Sequence, residues 1–531
     1  MIFKSLYPDV TIPEVPLTPF VLQRARQLGD KPALIDGPSG RTITYGQLPD
    51  LVGRVAAGLA ARGFRKGDCL AIFSPNLPEY AIAFHAVASI GGVVTPVNPL
   101  YTLRELSNQL SDAGARFLLT IPQFLATARD AVGQTSVEEI FVFGEAEGAT
   151  PFATLLQSAG PPPEVPINPR EDLVVLPYSS GTTGLPKGVM ITHYNLVAQL
   201  SQVRGITDAT LLDEQDTVLA FLPFFHIYGI NAFLNYSFWE GATVVTMPRF
   251  DLEQYLQMVR RYHVTFLHIV PPVVLALAKH PAVANFDLSK VHGALSAAAP
   301  LGEPTARAFA ERLGCPVSQA YGLTETTGAT HLGPSVPDKL KPASAGRLLP
   351  NMECKIVNPV SDALLGPSEQ GELLVRGPNV MKGYLNRPDA TAATIDAEGW
   401  LRTGDIGYAD ADGDFYIVDR AKELIKYKAL QIAPAELEAI LLDHPAIAEA
   451  AVIGISDEEA GEVPKAFVVR KADLTAEEVM AFVAQRVAPY KKVRAVEFMD
   501  QLPKSLTGKL LRRVLIDRER EQGRVVGSEP Q

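Results

Sequence analysis

A stretch rich in glycine and hydroxyl side chains, SSGTTGLPKG at 179–188, has the composition of an anion-binding loop. The apolar run DLVVLPY before it predicts a strand, and HYNLVAQLSQV after it predicts a helix. Between these elements, backbone N–H groups, hydroxyls and the Lys187 ammonium can be directed at a phosphate. The Walker phosphate loop is excluded, because Pro186 and Gly188 stand where it requires Gly and Ser or Thr.

On these residues alone the loop fits a polar surface turn equally well. Three other side chains have an ordinary structural interpretation when they are taken alone. Glu325 in YGLTET would be a solvated charge, and Asp405 in RTGD would be a turn residue. His226 in PFFHIYG is either a site residue or a satisfied core histidine, and no titratable side chain at a recognisable spacing from it predicts a triad.

The composition bounds the class of protein. At 531 residues the chain exceeds what one hydrophobic core supports, so at least two domains are expected. The formal net charge of -11 is opposite to the basic footprint of a nucleic-acid binder, so we expect no nucleic-acid partner. Cys69, Cys315 and Cys354 are too few and too far apart for a disulfide framework or a zinc cluster. A reducing cytoplasm is the expected location.

The segment from Val218 to Trp239 carries no formal charge and has the length of a membrane span. A helix breaker and polar groups, among them Pro223, Gly229 and Asn235, would then lie in hydrocarbon. We therefore expect buried segments of a large domain, with a membrane span as the alternative. The first residues lack a signal-peptide pattern, and the final GSEPQ carries no recognisable address.

Short apolar runs alternate with amphipathic stretches over much of the chain. The runs CLAIFSP, GGVVTPVNP, ARFLLTI, EEIFVFG and ATVVTMP predict strands, and RELSNQLSDAG predicts a helix. This alternation predicts parallel α/β layers in a large N-terminal domain, 1–419. From about 335 to 419, Gly-rich alternating segments such as GELLVRGP predict a small β-rich subdomain.

A compact α+β domain is expected at 420–531. After DRAKELIK, the segments PAELEAILLDHP, AEAAVIGIS and TAEEVMAFVAQRV predict a helix, a strand and a second helix. Pro434 suits the first turn of the first helix, and Leu437, Ile440 and Leu441 fall on one face. A domain of this length is within the ordinary size range.

Several motifs together resemble the adenylate-forming superfamily, which contains acyl-CoA synthetases, peptide-synthetase adenylation domains and beetle luciferases. They occur in family order as YSSGTTGLPKGV, FFHIYG, QAYGLTET, GELLVRG, GWLRTGD, DRAKELIKYK, PAELE and PKSLTGK. The resemblance spans nearly the whole chain. Within it, LPFFHIYG, MKGYLNRPDAT and LIKYK…QIAPAELE are most similar to 4-coumarate CoA ligases and related cinnamate or aryl CoA ligases.

The resemblance implies a reaction in two steps with ATP, Mg²⁺ and coenzyme A. A carboxylate attacks the α-phosphate of ATP to give an acyl adenylate and pyrophosphate, and a thiol then displaces AMP. Glu325 matches the magnesium-binding acid, Thr324 a phosphate-binding hydroxyl and Asp405 the ribose-binding carboxylate. The nucleotide or CoA contacts that the resemblance implies are Ser179, Ser180, Gly181, Thr182, Thr183, Gly184, Lys187, Gln319, Tyr321, Gly322, Thr324, Asp405, Arg420, Lys428 and Ala429.

The resemblance also implies that the C-terminal domain moves. Lys509 matches the lysine that bridges carboxylate and α-phosphate in the first step, whereas Lys426 and Gln431 match residues used in the second. One domain presents both sets only if it rotates, and Lys422 occupies the hinge position. His226 borders the acyl carboxylate and the nucleotide in relatives, which favours a positioning role.

One position departs from the family pattern. Ala429 stands where relatives usually have glycine beside the pantetheine tunnel. The extra methyl either narrows the tunnel and slows the thiol step, or is harmless because alanine is still small.

The acyl pocket is expected where relatives have theirs. Small residues there leave room for a flat ring or an extended chain, and close packing would favour the same residue types. No residue clearly anchors a 4-hydroxyl, so cinnamate and 4-coumarate are equally plausible. The predicted lining is Tyr228, Ala232, Ala297, Ala298, Gly322 and Thr326.

The sequence therefore predicts an ATP-dependent carboxylate CoA ligase for cinnamate-type aryl acids. A medium-chain fatty acyl-CoA ligase is the nearest alternative, and a luciferase-like oxygenase shares the motifs. A peptide-synthetase module is disfavoured because no carrier domain follows Lys509. A catalytically inactive nucleotide-binding regulatory protein is disfavoured because the lysines and carboxylates of the motifs are all present.

Overall fold

The computed structural model describes residues 1–158, 160–179, 186–209, 212–336, 338–420, 423–427, 430–457, 460–487, 489–505 and 510–522. Two compact units divide the chain. The large unit comprises Lys4–Glu353 and Val375–Leu401, and the small unit comprises Met1–Phe3, Cys354–Leu374 and Arg402–Gln531. The domain boundary at 419/420 stays a prediction.

The strands are numbered in chain order. Within the described residues they are β1 Ile2–Lys4, β2 Pro32–Asp36, β3 Thr42–Thr44, β4 Cys69–Phe73, β5 Val93–Val97, β6 Ala115–Thr120, β7 Glu139–Val142, β8 Thr150–Pro151, β9 Leu173–Val175, β10 Tyr178–Ser179, β11 Lys187–Thr192, β12 Thr217–Ala220, β13 Thr243–Thr246, β14 Phe266–Ile269, β15 Gly293–Ser296, β16 Val317–Leu323, β17 Gly328–Leu332, β18 Arg347–Leu348, β19 Glu353–Val357, β20 Gly371–Arg376, β21 Gly383–Tyr384, β22 Leu401–Ala409, β23 Phe415–Arg420, β24 Ile425–Tyr427, β25 Leu430–Ile432, β26 Ile447–Asp457, β27 Gly461–Arg470 and β28 Ala495–Phe498.

The α-helices are numbered in the same way. They are α1 Leu17–Val21, α2 Ala25–Leu28, α3 Leu48–Ala61, α4 Pro78–Ser89, α5 Leu103–Asp112, α6 Leu125–Val132, α7 His193–Arg204, α8 Ile227–Gly229, α9 Ser237–Glu240, α10 Leu252–Arg261, α11 Pro271–Lys279, α12 Glu303–Leu313, α13 Pro388–Thr394, α14 Pro434–Leu442, α15 Ala476–Ala484 and α16 Arg512–Glu521. A π-helix, Ile230–Tyr236, joins α8 to α9.

The large unit contains two nine-stranded sheets. The first has the order β10-β11-β9-β5-β4-β6-β7-β8, with β21 paired to β11, and its strands from β9 to β8 run parallel. The second has the order β18-β17-β16-β15-β14-β12-β13-β2-β3, with β16 to β2 parallel. Helices such as α4 and α7 contribute buried side chains to a hydrophobic core shared by both sheets. The predicted parallel α/β layers are confirmed.

The uncharged segment from Val218 to Trp239 is broken into a strand, the short helix α8, the π-helix and part of α9. Most of its side chains are buried within the large unit. Among the described residues no helix combines the length and the apolar character needed to cross a bilayer. Buried segments are therefore the correct interpretation of this run.

Antiparallel pairings in the small unit join β22 to β23, β24 to β25 and to β27, and β26 to β27, whereas β28 runs parallel to β27. One sheet has the order β1-β19-β20-β22-β23, and the other has the order β25-β24-β27-β26 with β28 beside β27. Helix α14 begins at Pro434, as predicted, and buries Leu437 and Leu441 in a core with α15 and the strands. This arrangement confirms the predicted β-rich segments and the small α+β domain.

Candidate active site

The glycine-rich loop joins two paired strands. β10 and β11 run antiparallel, with Ser179 opposite Lys187 and Tyr178 opposite Gly188. Ser179, Lys187 and Gly188 therefore belong to strands, so the loop is shorter than the sequence predicted. The next helix, α7, begins five residues after Gly188, and the Thr192 hydroxyl already accepts a hydrogen bond from one of its first N–H groups. The first turn of α7 is therefore already capped by a side chain of the chain itself.

A carboxylate with two hydroxyl donors lies beside this hairpin. Glu325 is only 8% exposed, and its Oε1 accepts hydrogen bonds from Ser179 Oγ at 2.8 Å and from the Tyr384 hydroxyl at 2.9 Å. Burial, followed by the charge of Glu325, raises the pKa of Tyr384. Lys187 Nζ lies 5.0 Å from the centroid of the Tyr384 ring. We call Ser179, Lys187, Glu325 and Tyr384 the carboxylate cluster.

Tyr384 is the member of the carboxylate cluster that the sequence did not single out. It belongs to β21, which pairs with β11 so that Tyr384 lies opposite Val189. The motif MKGYLNRPDAT contains it, but only the pairing between strands almost 200 residues apart reveals the contact. The sequence around Tyr384 did not indicate that its hydroxyl would contact the Glu325 carboxylate.

Thr324 and Glu325 lie in a single turn of 3-10 helix, Thr324–Thr326. Thr326 is fully buried, and its hydroxyl donates to the carbonyls of Leu323 and Gly328 at 3.1 and 2.7 Å. Its hydroxyl also accepts from the Leu323 N–H at 2.9 Å. Thr326 therefore braces this turn and is absent from the cavity lining, unlike the prediction for it.

An apolar cavity opens at the carboxyl ends of the parallel strands of the second sheet. The space that the centre of a water molecule can occupy in it is about 130 Å³. Loops and helices after β12 and β15, and the end of β16, supply part of the lining. Ligands commonly bind at this edge of parallel α/β sheets. Of the predicted site residues, those that line this cavity are His226, Tyr228, Ala232, Ala297, Ala298, Tyr321 and Gly322.

Gly322 is required by the local packing. A Cβ added there would lie 1.9 Å from the carbonyl oxygen of Gly328 and 2.7 Å from Cα of Ala329. These atoms belong to the paired strand β17 and cannot move independently of it. The glycine therefore allows β16 and β17 to approach closely beside the cavity.

The polar side chains of the lining that the sequence did not predict include His268 and Asn231. His268 lies in the middle of β14, and its Nε2 has no hydrogen-bond partner among the described residues. Asn231 donates to the carbonyl of Thr327 at 2.6 Å, whereas its Oδ1 has no partner within the described part of the chain. The Tyr228 hydroxyl donates to the carbonyl of Leu295 at 2.9 Å and lies 3.4 Å from His268 Nδ1.

His226 and Gln319 make local backbone contacts. His226 precedes α8, and its Nδ1 accepts a hydrogen bond from the Tyr228 N–H at 3.2 Å. Gln319 donates to the carbonyls of Leu301 and Pro342 at 3.1 and 2.6 Å, and its Oε1 accepts from the Leu301 N–H at 3.1 Å. His226 therefore caps the start of α8, and Gln319 connects the segments that contain Leu301 and Pro342.

The predicted residues of the small unit fall into two pairs. Asp405, 5% exposed, lies directly opposite Arg420 across β22 and β23. Lys426 lies opposite Gln431 across the β24–β25 pairing. The backbone thus brings together the members of each predicted pair.

A buried arginine connects the segments around these pairs. Arg512, in α16, contacts Glu423 and lies 2.6 Å from Glu438 and 4.0 Å from Asp419. Asp419 also accepts a hydrogen bond from the Ala435 N–H in the first turn of α14 at 3.0 Å. One guanidinium with three carboxylates ties β23, α14 and α16 together.

Comparison with known proteins decides the family. The family described as AMP-binding enzyme matches residues 21–385, and the AMP-binding enzyme C-terminal domain matches 436–509. The chain belongs to the AMP-binding enzyme family. It is 41% identical over 524 residues to 4-coumarate–CoA ligase 1 of Petroselinum crispum, an alignment that covers 97% of this chain and 96% of the relative. This AMP-binding enzyme therefore falls in the 4-coumarate–CoA ligase-like group.

Solved structures share the fold of this AMP-binding enzyme. The anthranilate CoA ligase AuaEII in complex with anthranoyl-AMP is 26% identical with a TM-score of 0.86, covering 96% of this chain and 98% of that one. ATP-bound MatB from Rhodopseudomonas palustris is 27% identical with a TM-score of 0.85, covering 94% and 99%. The ATP-bound relative supports a nucleotide site in this fold.

The donor set of the carboxylate cluster fits Mg²⁺. The ion prefers oxygen ligands, keeps several waters and commonly uses only one or two carboxylates. Glu325 supplies one buried carboxylate, and no group of three or more potential metal-ligating side chains occurs in the part of the chain that the structure describes. This donor set is therefore compatible with a solvated hard cation.

Some predicted residues lie outside the described residues, so their roles stay predictions. They are Ser180, Gly181, Thr182, Thr183, Gly184, Lys422, Lys428, Ala429 and Lys509.

Proposed function

We propose that this member of the 4-coumarate–CoA ligase-like group, an ATP-dependent acyl-CoA ligase, activates aryl acids of the cinnamate type. The acid and ATP give an acyl adenylate and pyrophosphate, and the thiol of coenzyme A then gives the acyl-CoA and AMP. The observation that carries the proposal is the apolar cavity, whose lining includes Gly322, three residues before Glu325. A planar ring suits such a cavity, because its lining is apolar with few polar groups.

The first step brings two anions together, so cations and oriented donors must offset their repulsion. Lys187 supplies an ammonium, and Ser179 and Thr324 supply hydroxyls near Glu325. Glu325 would hold Mg²⁺, which when bound neutralises charge on the phosphates. Ser179 and Tyr384 orient the carboxylate through their hydrogen bonds to Oε1.

The small unit supplies the remaining groups of the proposal. Asp405 would accept hydrogen bonds from the ribose, and Arg420 would contact the nucleotide. Lys509 would bridge the acid and the α-phosphate in the first step, and Lys426 and Gln431 would serve the second, with Lys428 and Ala429 beside the pantetheine arm. Rotation about Lys422 would exchange the two sets and keep water from the adenylate.

A cytoplasmic location is part of the proposal. Cys69, Cys315 and Cys354 are all buried free thiols. Burial raises the pKa of each thiol, so none is activated as a nucleophile. Unpaired cysteines are usual in a reducing compartment.

A panel of acids tests the function. Cinnamate, 4-coumarate, benzoate and octanoate are incubated with ATP and Mg²⁺, and pyrophosphate and CoA thioester are measured separately. We expect both products to be greatest with a cinnamate-type acid. Preference for octanoate would support the fatty acyl alternative, and absence of pyrophosphate with every acid would support the inactive regulatory protein.

The division of labour is tested with Lys509→Ala. Pyrophosphate release should be abolished, while thioester formation from supplied acyl adenylate should persist, because the lysine is assigned to the first step only. Lys504→Ala is the matched control, since Lys504 lies in the same segment and its ammonium pairs with Glu449 at 2.6 Å. Equal loss of both steps in Lys509→Ala would contradict the assignment.

A further inference from the structure

His268 is a polar residue in the apolar wall of the cavity. It is 6% exposed and surrounded by aromatic rings: its ring centroid lies 5.8 Å from that of Tyr228, 5.4 Å from Phe233 and 5.2 Å from Phe266. Desolvation in this environment lowers the pKa of His268 to about 3. The imidazole is therefore neutral at physiological pH and carries one N–H.

The position of that N–H follows from the neighbouring hydroxyl. Tyr228 has one hydroxyl proton, which it donates to the carbonyl of Leu295 at 2.9 Å. The 3.4 Å contact between the Tyr228 oxygen and His268 Nδ1 is then satisfied only if Nδ1 carries the hydrogen. Nε2 consequently bears a lone pair, and no described residue donates to it.

A buried acceptor without a donor is unfavourable. Leaving such a group unsatisfied costs about 1–3 kcal/mol, and most buried polar side-chain atoms in proteins have a partner. Asn231 Oδ1 is a second acceptor without a described partner in the same lining, and its amide is oriented by the 2.6 Å bond to Thr327. The cavity therefore presents hydrogen-bond acceptors, which a ligand with a hydrogen-bond donor would satisfy.

We propose that His268 is a specificity-determining residue whose Nε2 accepts a hydrogen bond from a phenolic hydroxyl of the bound aryl acid. The inference rests on the proposed function and narrows its substrate class to ring-hydroxylated acids. A phenol supplies a neutral donor on a flat apolar body, which suits both the acceptor and the aromatic wall. A saturated chain or an unsubstituted ring would leave Nε2 unsatisfied.

Sites that hydrogen-bond a substrate hydroxyl discriminate strongly against analogues that lack it, because a buried group is then left unpaired. The test compares kcat/KM for the three monohydroxycinnamates and for cinnamate. The hydroxyl ratio is the kcat/KM of the best of the three hydroxylated isomers divided by the kcat/KM of cinnamate. We expect this ratio to be about tenfold or more in the unaltered enzyme.

His268→Leu should reduce the hydroxyl ratio by about tenfold, because leucine fills the space without an acceptor. His268→Gln should restore part of the ratio, because its amide oxygen can replace Nε2. Phe266→Leu is the matched control: it lies two residues away on the same strand and lines the same cavity without a polar atom. An unchanged ratio in His268→Leu, or an equal fall in Phe266→Leu, would overturn the proposal.

A binding measurement separates this proposal from the ligase function. Sulfamoyladenosine analogues of cinnamate and of the preferred hydroxycinnamate are titrated against each variant, and the ratio of their Kd values is determined. If the hydroxyl preference in Kd disappears in His268→Leu although no acid is turned over, the assignment of His268 stands and the ligase function fails. If aryl acids are turned over but both ratios are insensitive to His268, the function stands and this inference fails. Thermal unfolding checks that each variant is folded. If His268→Leu does not fold, the hydroxyl ratio of His268→Gln is used to test the proposal instead.

Discussion

The carboxylate cluster and the apolar cavity form the two ends of the proposed site in the large unit, and they are built in opposite ways. In the carboxylate cluster, two hydroxyls converge on one oxygen of Glu325, so its donors are already committed. In the cavity, His268 Nε2 and Asn231 Oδ1 have no described donor. The first end is organised before any ligand binds, whereas the second is completed by one.

The contrast separates reaction from specificity. Groups that stabilise charge on a phosphate must be in place before reaction, because reorganising them during the step would raise the barrier. Groups that determine specificity discriminate most strongly between acids when the wrong acid leaves a buried polar atom without a hydrogen-bond partner. Changes in the carboxylate cluster should therefore affect all acids alike, and changes in the cavity should affect acids unequally.

The largest effect is expected for Glu325→Gln. Removing the charge while keeping the shape should lower pyrophosphate release by about 10²-fold or more, equally for every acid, since loss of one electrostatic group at a reacting centre commonly has that size. Initial rates at varied Mg²⁺ and with each acid provide the measurement.

The matched control for this change is Glu303→Gln. Glu303 pairs with Arg307 on an exposed face of α12, so the same substitution there should leave the rate unchanged. A Glu325→Gln effect confined to one acid would remove the distinction between the two ends.

The sequence predicted Ser179, Lys187 and Glu325 of the carboxylate cluster and several of the small residues of the cavity lining. These predictions came mainly from short motifs that resemble those of the family, whereas contacts between distant strands were not predicted. Tyr384 was missed because its contact depends on the pairing of β21 with β11. Short continuous apolar runs, separated by amphipathic stretches, predicted the strands and the parallel layers. A strand that is buried on both faces is apolar along its whole length, so its sequence alone indicates it.

The polar wall of the cavity left no such signal. His268 stands in the apolar run VTFLHIV, where a buried core histidine is the ordinary expectation. Its meeting with Tyr228, 40 residues earlier, requires β14 to lie beside β12 in the sheet, an arrangement that only the fold defines. Thr326 shows the reverse case, because a residue adjacent to Glu325 in sequence braces a turn and does not line the cavity.

A smaller effect, which should differ from one acid to another, is expected for Gly322→Ala. The new methyl would meet the backbone of β17, and overpacking of this kind costs about 1–3 kcal/mol, on the order of tenfold in a rate or binding constant. Because the wall must shift, kcat/KM should fall more for ring-bearing acids than for octanoate, as a panel of acids would show.

Gly302→Ala serves as the control for that substitution. Gly302 has a negative φ, and the nearest atom to an added Cβ is Pro304 Cδ at 3.9 Å, so the methyl meets no obstacle. Thermal unfolding of both variants separates a local change in the cavity from general destabilisation. If Gly322→Ala lowered kcat/KM equally for all acids, Gly322 would act on the reaction in the same way as the carboxylate cluster and would not determine specificity.

The smallest effect is expected for Tyr384→Phe. The change removes one of the two hydroxyls on Glu325 Oε1 while keeping the ring beside Lys187. Because Ser179 still donates to the same oxygen, the loss should be about that of one hydrogen bond, roughly three- to tenfold in pyrophosphate release. The fall should be the same with every acid and should shift the Mg²⁺ dependence, which a Mg²⁺ titration measures. A loss as large as that of Glu325→Gln would mean that Tyr384 contributes directly to the reacting centre, and an acid-dependent loss would mean that the two ends are coupled through β21.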